Sequence, residues 1–221
     1  MSYIDFVGIL HNKTKRDYKE RVVSHDKAEC AKIASKFSFD YWDGDRSFGF
    51  GGYNYDGRWS VVAKAMIDHY KIKKESKILD VGCGKGFLIY EFTKLIPGIS
   101  VNGLDISDYA VKNSKEEIRK NILLGSAGDK FPWADNSFDL VISINALHNL
   151  YNYDLYNSIK EISRVSSKNS HITIESYRNE KEKVNLLYWQ LTCRAFMKPE
   201  EWEWIFLECG YEGDYGCIFF E

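Results

Sequence analysis

Proline is scarce, with 3 in 221 residues, and the 5 cysteines include no C-x-x-C pair. The first shortage excludes a proline-rich linker or collagen-like chain, and the second gives no sign of a disulfide framework or a zinc knuckle. The cysteines therefore read as reduced thiols of a cytoplasmic protein, and no metal is implied. No charge sign dominates: 30 Lys and Arg stand against 32 Asp and Glu, a formal net charge of -2. Residues 1–50 alone hold nine basic and eight acidic side chains, so neither sign forms a tail or block. That balance argues against nucleic acid or an anionic membrane as a partner. No apolar run approaches the roughly 20 residues needed to span a bilayer. The short run over residues 4–10 is interrupted by Asp5 and has neither the basic flank nor the cleavage pattern of a signal peptide. What the chain has in excess is aromatic rings, 6 Trp, 15 Tyr and 13 Phe, or 15% of all residues.

The length fits one core with an extra layer rather than two full domains. Residues 77–177 alternate β-branched runs with amphipathic stretches, the sequence form of a parallel α/β sheet. Strands are expected at 77–81, 100–105, 122–124, 138–144 and 171–175. The fourth is continuously apolar, as suits a strand covered on both faces. Helices are expected after the first strand, behind Ser107 as N-cap, over 154–165, and over 199–209 with Pro199 in its first turn. Upstream, Trp59, Val62, Ala63, Met66, Ile67 and Tyr70 keep helical spacing behind Asp56, a reasonable cap. Another helix is expected around 26–37. Between these two lies Tyr41-Trp-Asp-Gly-Asp-Arg-Ser-Phe-Gly-Phe-Gly-Gly-Tyr-Asn-Tyr55, whose four glycines and interleaved rings break any period and read as an ordered loop or lid. Residues 211–221 can supply two short strands around Gly213-Asp214. The expected organisation is an N-terminal helical and lid segment, 1–60, before a domain over 61–221.

The central signal is Ile78-Leu-Asp-Val-Gly-Cys-Gly-Lys-Gly86, a strand emptying into a loop with glycines at alternate positions. Glycine lets backbone approach a ligand and lets a helix start close to the strand end. A dinucleotide fingerprint would place its third glycine one position later, which weakens the reading as an NAD-type dehydrogenase. An acid beside the loop, Asp80, disfavours phosphate and suits a cationic ligand, although it can equally hydrogen-bond loop amides. Asp105 ends the second strand 19 residues after Gly86, where a carboxylate can accept hydrogen bonds from both hydroxyls of a ribose.

Leu79-Asp-Val-Gly-Cys-Gly-Lys-Gly86 with Asp105, followed by Phe131-Pro-Trp-Ala-Asp-Asn-Ser-Phe-Asp-Leu-Val141, resembles the class I S-adenosylmethionine-dependent methyltransferases. The resemblance implies a Rossmann-like α/β fold, a seven-stranded, mostly parallel sheet with helices on both faces and an antiparallel C-terminal strand. It implies S-adenosylmethionine as cofactor and S-adenosylhomocysteine as product. Gly82, Gly84 and Gly86 would face the methionine moiety, Asp105 the ribose and Ile106 the adenine. Where the family often carries Gly-Asp-Ala, this chain has Gly125-Ser-Ala127, so Ser126 and Ala127 stand at the adenine amine, with Asp129 as another candidate for that contact. Upstream, Tyr41-Trp-Asp-Gly-Asp-Arg46 with Gly51-Gly-Tyr-Asn-Tyr-Asp-Gly-Arg-Trp59 also resembles a narrower group of bacterial small-molecule methyltransferases, some associated with surface-glycan sugars. By that analogy Tyr53 and Arg58 would close over the cofactor, Arg58 pairing with its carboxylate; an exposed first-turn arginine is the other reading.

Methyl transfer from a sulfonium is an in-line displacement that positioning can largely catalyse, and a base is needed only where the acceptor must lose a proton. Ligands of open α/β sheets lie at the carboxyl ends of the strands. Asn145 and His148 follow the fourth strand and Glu175 ends the fifth. Asn145 sits where the family borders the transferred methyl. His148 is the leading base candidate, with turn packing as its alternative, and Glu175 can bind an amine or orient a hydroxyl. Tyr188, Trp189 and Thr192 are candidate substrate walls. No Asn-Pro-Pro-Tyr or Asp-Pro-Pro-Tyr follows the fourth strand, which favours a small molecule over a nucleobase amine as acceptor. The expected function is methyl transfer to oxygen or nitrogen of a small molecule, with a sugar or sugar-linked group as one candidate. A cofactor-binding protein without chemistry is the alternative, and the oligomeric state is open.

Overall fold

The computed structural model describes residues 1–11 and 17–221. Residues 12–16 of the expected N-terminal segment lie outside that description.

Before the sheet come the short helices α1 (Gly8–His11) and α2 (Glu20–Val23), then α3 (Lys27–Ala34) and the single turn α4 (Phe39–Trp42). The Asp26 carboxylate caps α3 by accepting from the amides of Ala28 and Glu29. Helix α5 (Ser60–Tyr70) starts later than the sequence suggests: Trp59 occupies its N-cap, and Asp56 instead accepts from the amide and side chain of Arg58. Strand β1 (Lys77–Val81) then leads into α6 (Phe87–Leu95), and β2 (Ser100–Asp105) into α7 (Asp108–Lys112). Ser107 caps α7 by accepting from the Ala110 amide. The single helix expected here is broken, because the Ser114 hydroxyl donates back to the Val111 carbonyl; α8 (Glu116–Arg119) starts afresh beyond it. After β3 (Ile122–Leu124) and β4 (Phe138–Ile144) come α9 (Asn152–Val165), β5 (Ser166–Glu175), α10 (Glu180–Trp189), α11 (Pro199–Glu208) and β6 (Asp214–Ile218).

Among the described residues six strands pair in the order β3-β2-β1-β4-β5-β6, and every pairing is parallel. The expected seventh strand and antiparallel C-terminal strand are thus corrected. The reason is the connection: α10 and α11 carry the chain back across the sheet after β5, and a helical crossover returns a strand in the same direction. The residues around Gly213 and Asp214 consequently open β6 rather than join two strands. The outer edge of β6 meets the N-terminal segment, where the Ile4 amide donates to the Tyr215 carbonyl and Tyr3 forms a parallel bridge to Tyr215.

Alternation along the strands builds two cores. Leu79, Val81, Val141, Ile172 and Ile174 pack beneath Leu155, Ile159 and Ile162 of α9 and Trp202 and Phe206 of α11. Ile78, Leu140 and Ile142 point the other way, onto Val62 and Met66 of α5, Ile89 and Phe92 of α6, and Phe6 and Val7. Strand order reverses between β1 and β4, and the crevice at their carboxyl ends is where a doubly wound sheet places its ligand.

Candidate active site

The glycine loop leaves β1 through a left-handed turn. Gly84 and Gly86 have φ of 57° and 69°, values that strain other residues. They serve different neighbours. A Cβ on Gly86 would lie 2.6 Å from Ile118 and 2.9 Å from Ile122, so this glycine lets the start of α6 close on α8 and β3. A Cβ on Gly84 would lie 2.7 Å from the Trp42 ring, so this one admits the lid.

Beside the loop opens a cavity of about 490 Å³. Of the residues expected to act, Tyr53, Arg58, Asp80, Gly82, Gly84, Asn145 and Glu175 line it, as do Trp189 and Thr192. Gly86, Asp105, Ile106, Ser126, Ala127, His148 and Tyr188 do not. The residues expected to hold the cofactor are therefore divided: those expected at its methionine end, Gly86 excepted, line the cavity, and those expected at its adenosine do not. Ile106 is 58% exposed, available as a flat apolar surface. The Ser126 hydroxyl accepts from the Gly128 amide and Ala127 packs against the core, so this turn is held by its own backbone.

Asp105 is 7% exposed. Its Oδ2 accepts from the Gly84 amide at 2.6 Å and its Oδ1 from the Ser107 amide at 2.8 Å. Burial raises its pKa, opposed by those two amides. Asp80 is more isolated: its Oδ1 is buried without a hydrogen-bond partner, and burial, followed by the nearby Asp105, pushes it up to about 8. An acid in that state gains most from a cationic ligand.

Asn145 holds a left-handed φ of 58°, its amide donating to the Thr173 carbonyl while its side-chain Oδ1 is buried without a partner. Strain of this kind concentrates at sites where geometry matters more than stability. Glu175 accepts from Gln190, and the Trp202 indole donates to the Glu175 carbonyl. His148 sits behind it, with Nε2 3.4 Å from Glu175 Oε2 and the ring fully buried. Burial pushes His148 down to about 3, so the imidazole is neutral at physiological pH. The Tyr41 hydroxyl bonds to Thr192, whose Oγ1 donates to Asn149 at 2.8 Å.

Tyr53 stacks on Phe87 at 5.0 Å and accepts from the Trp59 indole, while Arg58 pairs with Asp56 at the cavity rim. Sequence reasoning missed Trp42, Lys85 and Gln190. Trp42 lies in the aromatic stretch that reads as a lid, but nothing in the sequence says which ring meets the glycine loop. Gln190 follows α10, a helix whose sequence carries little amphipathic pattern.

A family model described as a methyltransferase domain matches residues 72–209, more than half of the chain. The chain belongs to the class I S-adenosylmethionine-dependent methyltransferases. The methyl donor of these enzymes is S-adenosylmethionine. Ribosomal RNA small subunit methyltransferase C of Buchnera aphidicola is 28% identical over 149 residues, covering 66% of this chain and 43% of that protein. Ubiquinone biosynthesis O-methyltransferase of Pelagibacter ubique is 28% identical over 156 residues, covering 66% and 62%. This methyltransferase chain thus spans less than two thirds of either relative. Among solved structures, MccD protein aligns with a TM-score of 0.55 at 24% identity, covering 68% of this chain and 69% of that one. A methyltransferase from Archaeoglobus fulgidus gives 0.54 at 21% identity, covering 73% and 70%. Both likenesses show the fold.

The site fits the family's cofactor. Asp80 has an unpartnered oxygen for a cationic group, and Asp105 keeps a lone pair on each oxygen after its two amide bonds.

Two buried imidazoles make acid stability a test of this packing. His148 and His171 are both pushed down to about 3 by burial. In the unfolded chain they titrate near 6.5, so below that pH the unfolded state binds protons that the folded state refuses. Their contribution is complete above about pH 6.5 and falls with pH. Urea unfolding is expected to show a loss of about 2 kcal/mol per imidazole at pH 5 relative to pH 7, and a smaller loss in His148→Gln.

Proposed function

We propose that the protein transfers a methyl group from S-adenosylmethionine to an oxygen or nitrogen of a small polar molecule, a sugar or sugar-linked group being one candidate. The observation that carries this reading is the cavity, which runs from Asp80 and Gly82 to Asn145 and Glu175 and is roofed by Tyr41, Phe50 and Tyr53. At about 490 Å³ it falls within the range of small-molecule sites. When bound, the cofactor supplies an activated methyl on a sulfonium. Tyr53, Arg58, Asp80, Gly82 and Gly84 hold its methionine end, while Asp105 and Ile106 hold the adenosine. Asn145 borders the transferred methyl.

Glu175, on the cavity wall, takes a proton from the acceptor or fixes its amine. His148, with no face on the cavity, acts only through Glu175, whose Oε2 lies 3.4 Å from its Nε2. Trp189, Gln190 and Thr192 shape the acceptor side. Rings near the methyl position exclude water and attract the sulfonium's charge. Residues 1–60 form the lid segment and 61–221 the catalytic domain.

Mass spectrometry of a metabolite extract incubated with the protein and methyl-labelled cofactor tests the reading. A labelled small product is the expected result. Label found only in RNA or protein would overturn the acceptor class, and cofactor binding without any labelled product would favour a protein that has lost its chemistry.

A further inference from the structure

Lys85 lies between Gly84 and Gly86 but does not face the cavity. It is 4% exposed, and its ammonium donates to both carboxylate oxygens of Asp43, at 2.7 and 2.6 Å, and to the Tyr53 carbonyl at 2.9 Å. Asp43 also accepts from the Tyr53 amide at 3.0 Å and from the Tyr109 hydroxyl at 2.7 Å. One carboxylate therefore ties together the cofactor loop, the helix after Asp105 and the far end of the lid. Burial alone would raise the Asp43 pKa; Lys85, Tyr109 and the Tyr53 amide hold it below the ordinary value.

The neighbouring residue makes the second grip. Trp42 lies over Gly84, and its indole donates to the Ser107 hydroxyl at 2.9 Å. Gly84 and Ser107 are the same two residues whose amides hold the Asp105 carboxylate. Beyond Gly49, Gly51 and Gly52 the lid is anchored separately, by the Tyr55 hydroxyl on the buried Glu91 at 2.5 Å. The segment between these grips carries the roof of the cavity.

We propose that Lys85 and Asp43 form a latch that seats the lid on the cofactor loop, so that either side chain sets cofactor affinity and exchange without touching the cofactor. Lys85 is in this sense a positioning residue. A buried ammonium is tolerated only with its partner in place, so the lid lifts from the loop only by breaking the Lys85–Asp43 pair and the hydrogen bonds that Tyr53 and Tyr109 make to it. Trp42 and Tyr53 follow the latch because the residues that carry them are bonded to it. The proposal rests on the cofactor reading and is independent of the acceptor.

S-adenosylhomocysteine binding by calorimetry and its release by stopped-flow tryptophan fluorescence test this, alongside thermal melting without ligand. Lys85→Met and Asp43→Asn are each expected to weaken binding about tenfold or more and to speed release. The double variant Asp43→Asn with Lys85→Met leaves no lone buried charge. Its melting temperature should recover towards wild type while binding stays weak, a split that a merely structural role would not produce. Lys85→Arg should retain most affinity, and Tyr109→Phe, which leaves the charge pair intact, should accelerate release a few-fold. If the single variants do not fold, the double variant and Tyr109→Phe carry the test. Wild-type affinity and release rate in the double variant would overturn the latch. Failure of the wild-type protein to bind S-adenosylhomocysteine would overturn the cofactor reading and the latch with it.

Discussion

Asp105→Ala is expected to raise the dissociation constant for S-adenosylhomocysteine by about two orders of magnitude or more. The carboxylate has four lone-pair positions, and two are taken by the amides of Gly84 and Ser107. The remaining pair can accept from two ribose hydroxyls. A hydrogen bond to a charged group contributes about 1.5–3 kcal/mol, and every 1.4 kcal/mol is tenfold in affinity. Removing the side chain also releases the two amides that shape the loop, so affinity suffers twice. Asp105→Asn, which keeps one acceptor oxygen, should fall between the two. Calorimetry decides it: a change of less than about threefold in Asp105→Ala would remove ribose recognition from this residue.

Glu175→Gln is expected to lower kcat by about 10²- to 10³-fold, within the range for losing a positioned acid or base, while the affinity for S-adenosylhomocysteine changes little. The separation follows from topology. Glu175 ends β5, which is parted from β1 and its glycine loop by β4, so it lines the cavity away from the loop. The substitution keeps the size and a carbonyl oxygen for Gln190 but removes the charge. His148→Ala should show a smaller loss, because that ring reaches the acceptor only through Glu175. Unchanged turnover in Glu175→Gln, on whatever acceptor the labelling experiment yields, would sink the proton-transfer role.

Much of the framework was legible from local pattern. The run over 138–144 is apolar throughout, and the structure buries it between two helical layers as β4. Ser107 was readable as a cap and serves as one. The glycine loop was readable because its left-handed turn demands glycine at fixed positions, and Asp105 because it closes the second strand beside that loop. Asp56 failed as a cap because Arg58 competes for its carboxylate at closer range. The seventh strand failed because strand direction depends on how the chain returns, and α10 was not visible in the pattern.

The aromatic excess follows the same division. Of the 34 rings, 9 fall between Phe37 and Trp59 and 10 between Tyr188 and Phe220, the stretches that hold the expected lid and substrate wall. Trp42, Phe50 and Tyr53 do pack together over the glycine loop, with Trp42 and Phe50 stacked at 5.3 Å. The second cluster splits: Trp189 reaches the cavity, whereas Trp202 and Phe206 fill the core.

The sequence by itself determined the α/β class, the glycine loop after β1, and the acids and amide at the strand ends, Asp105, Asn145 and Glu175, because each depends on neighbours in the chain. Only the tertiary structure decided that the sheet is wholly parallel, that Glu175 rather than His148 faces the cavity, and that Lys85 closes on Asp43. These three depend on contacts between residues far apart in the chain: Asp43 and Lys85 are 42 positions apart and Glu175 and Gln190 are 15. Periodicity reports which face of an element is buried, but not which partner a buried charge finds there.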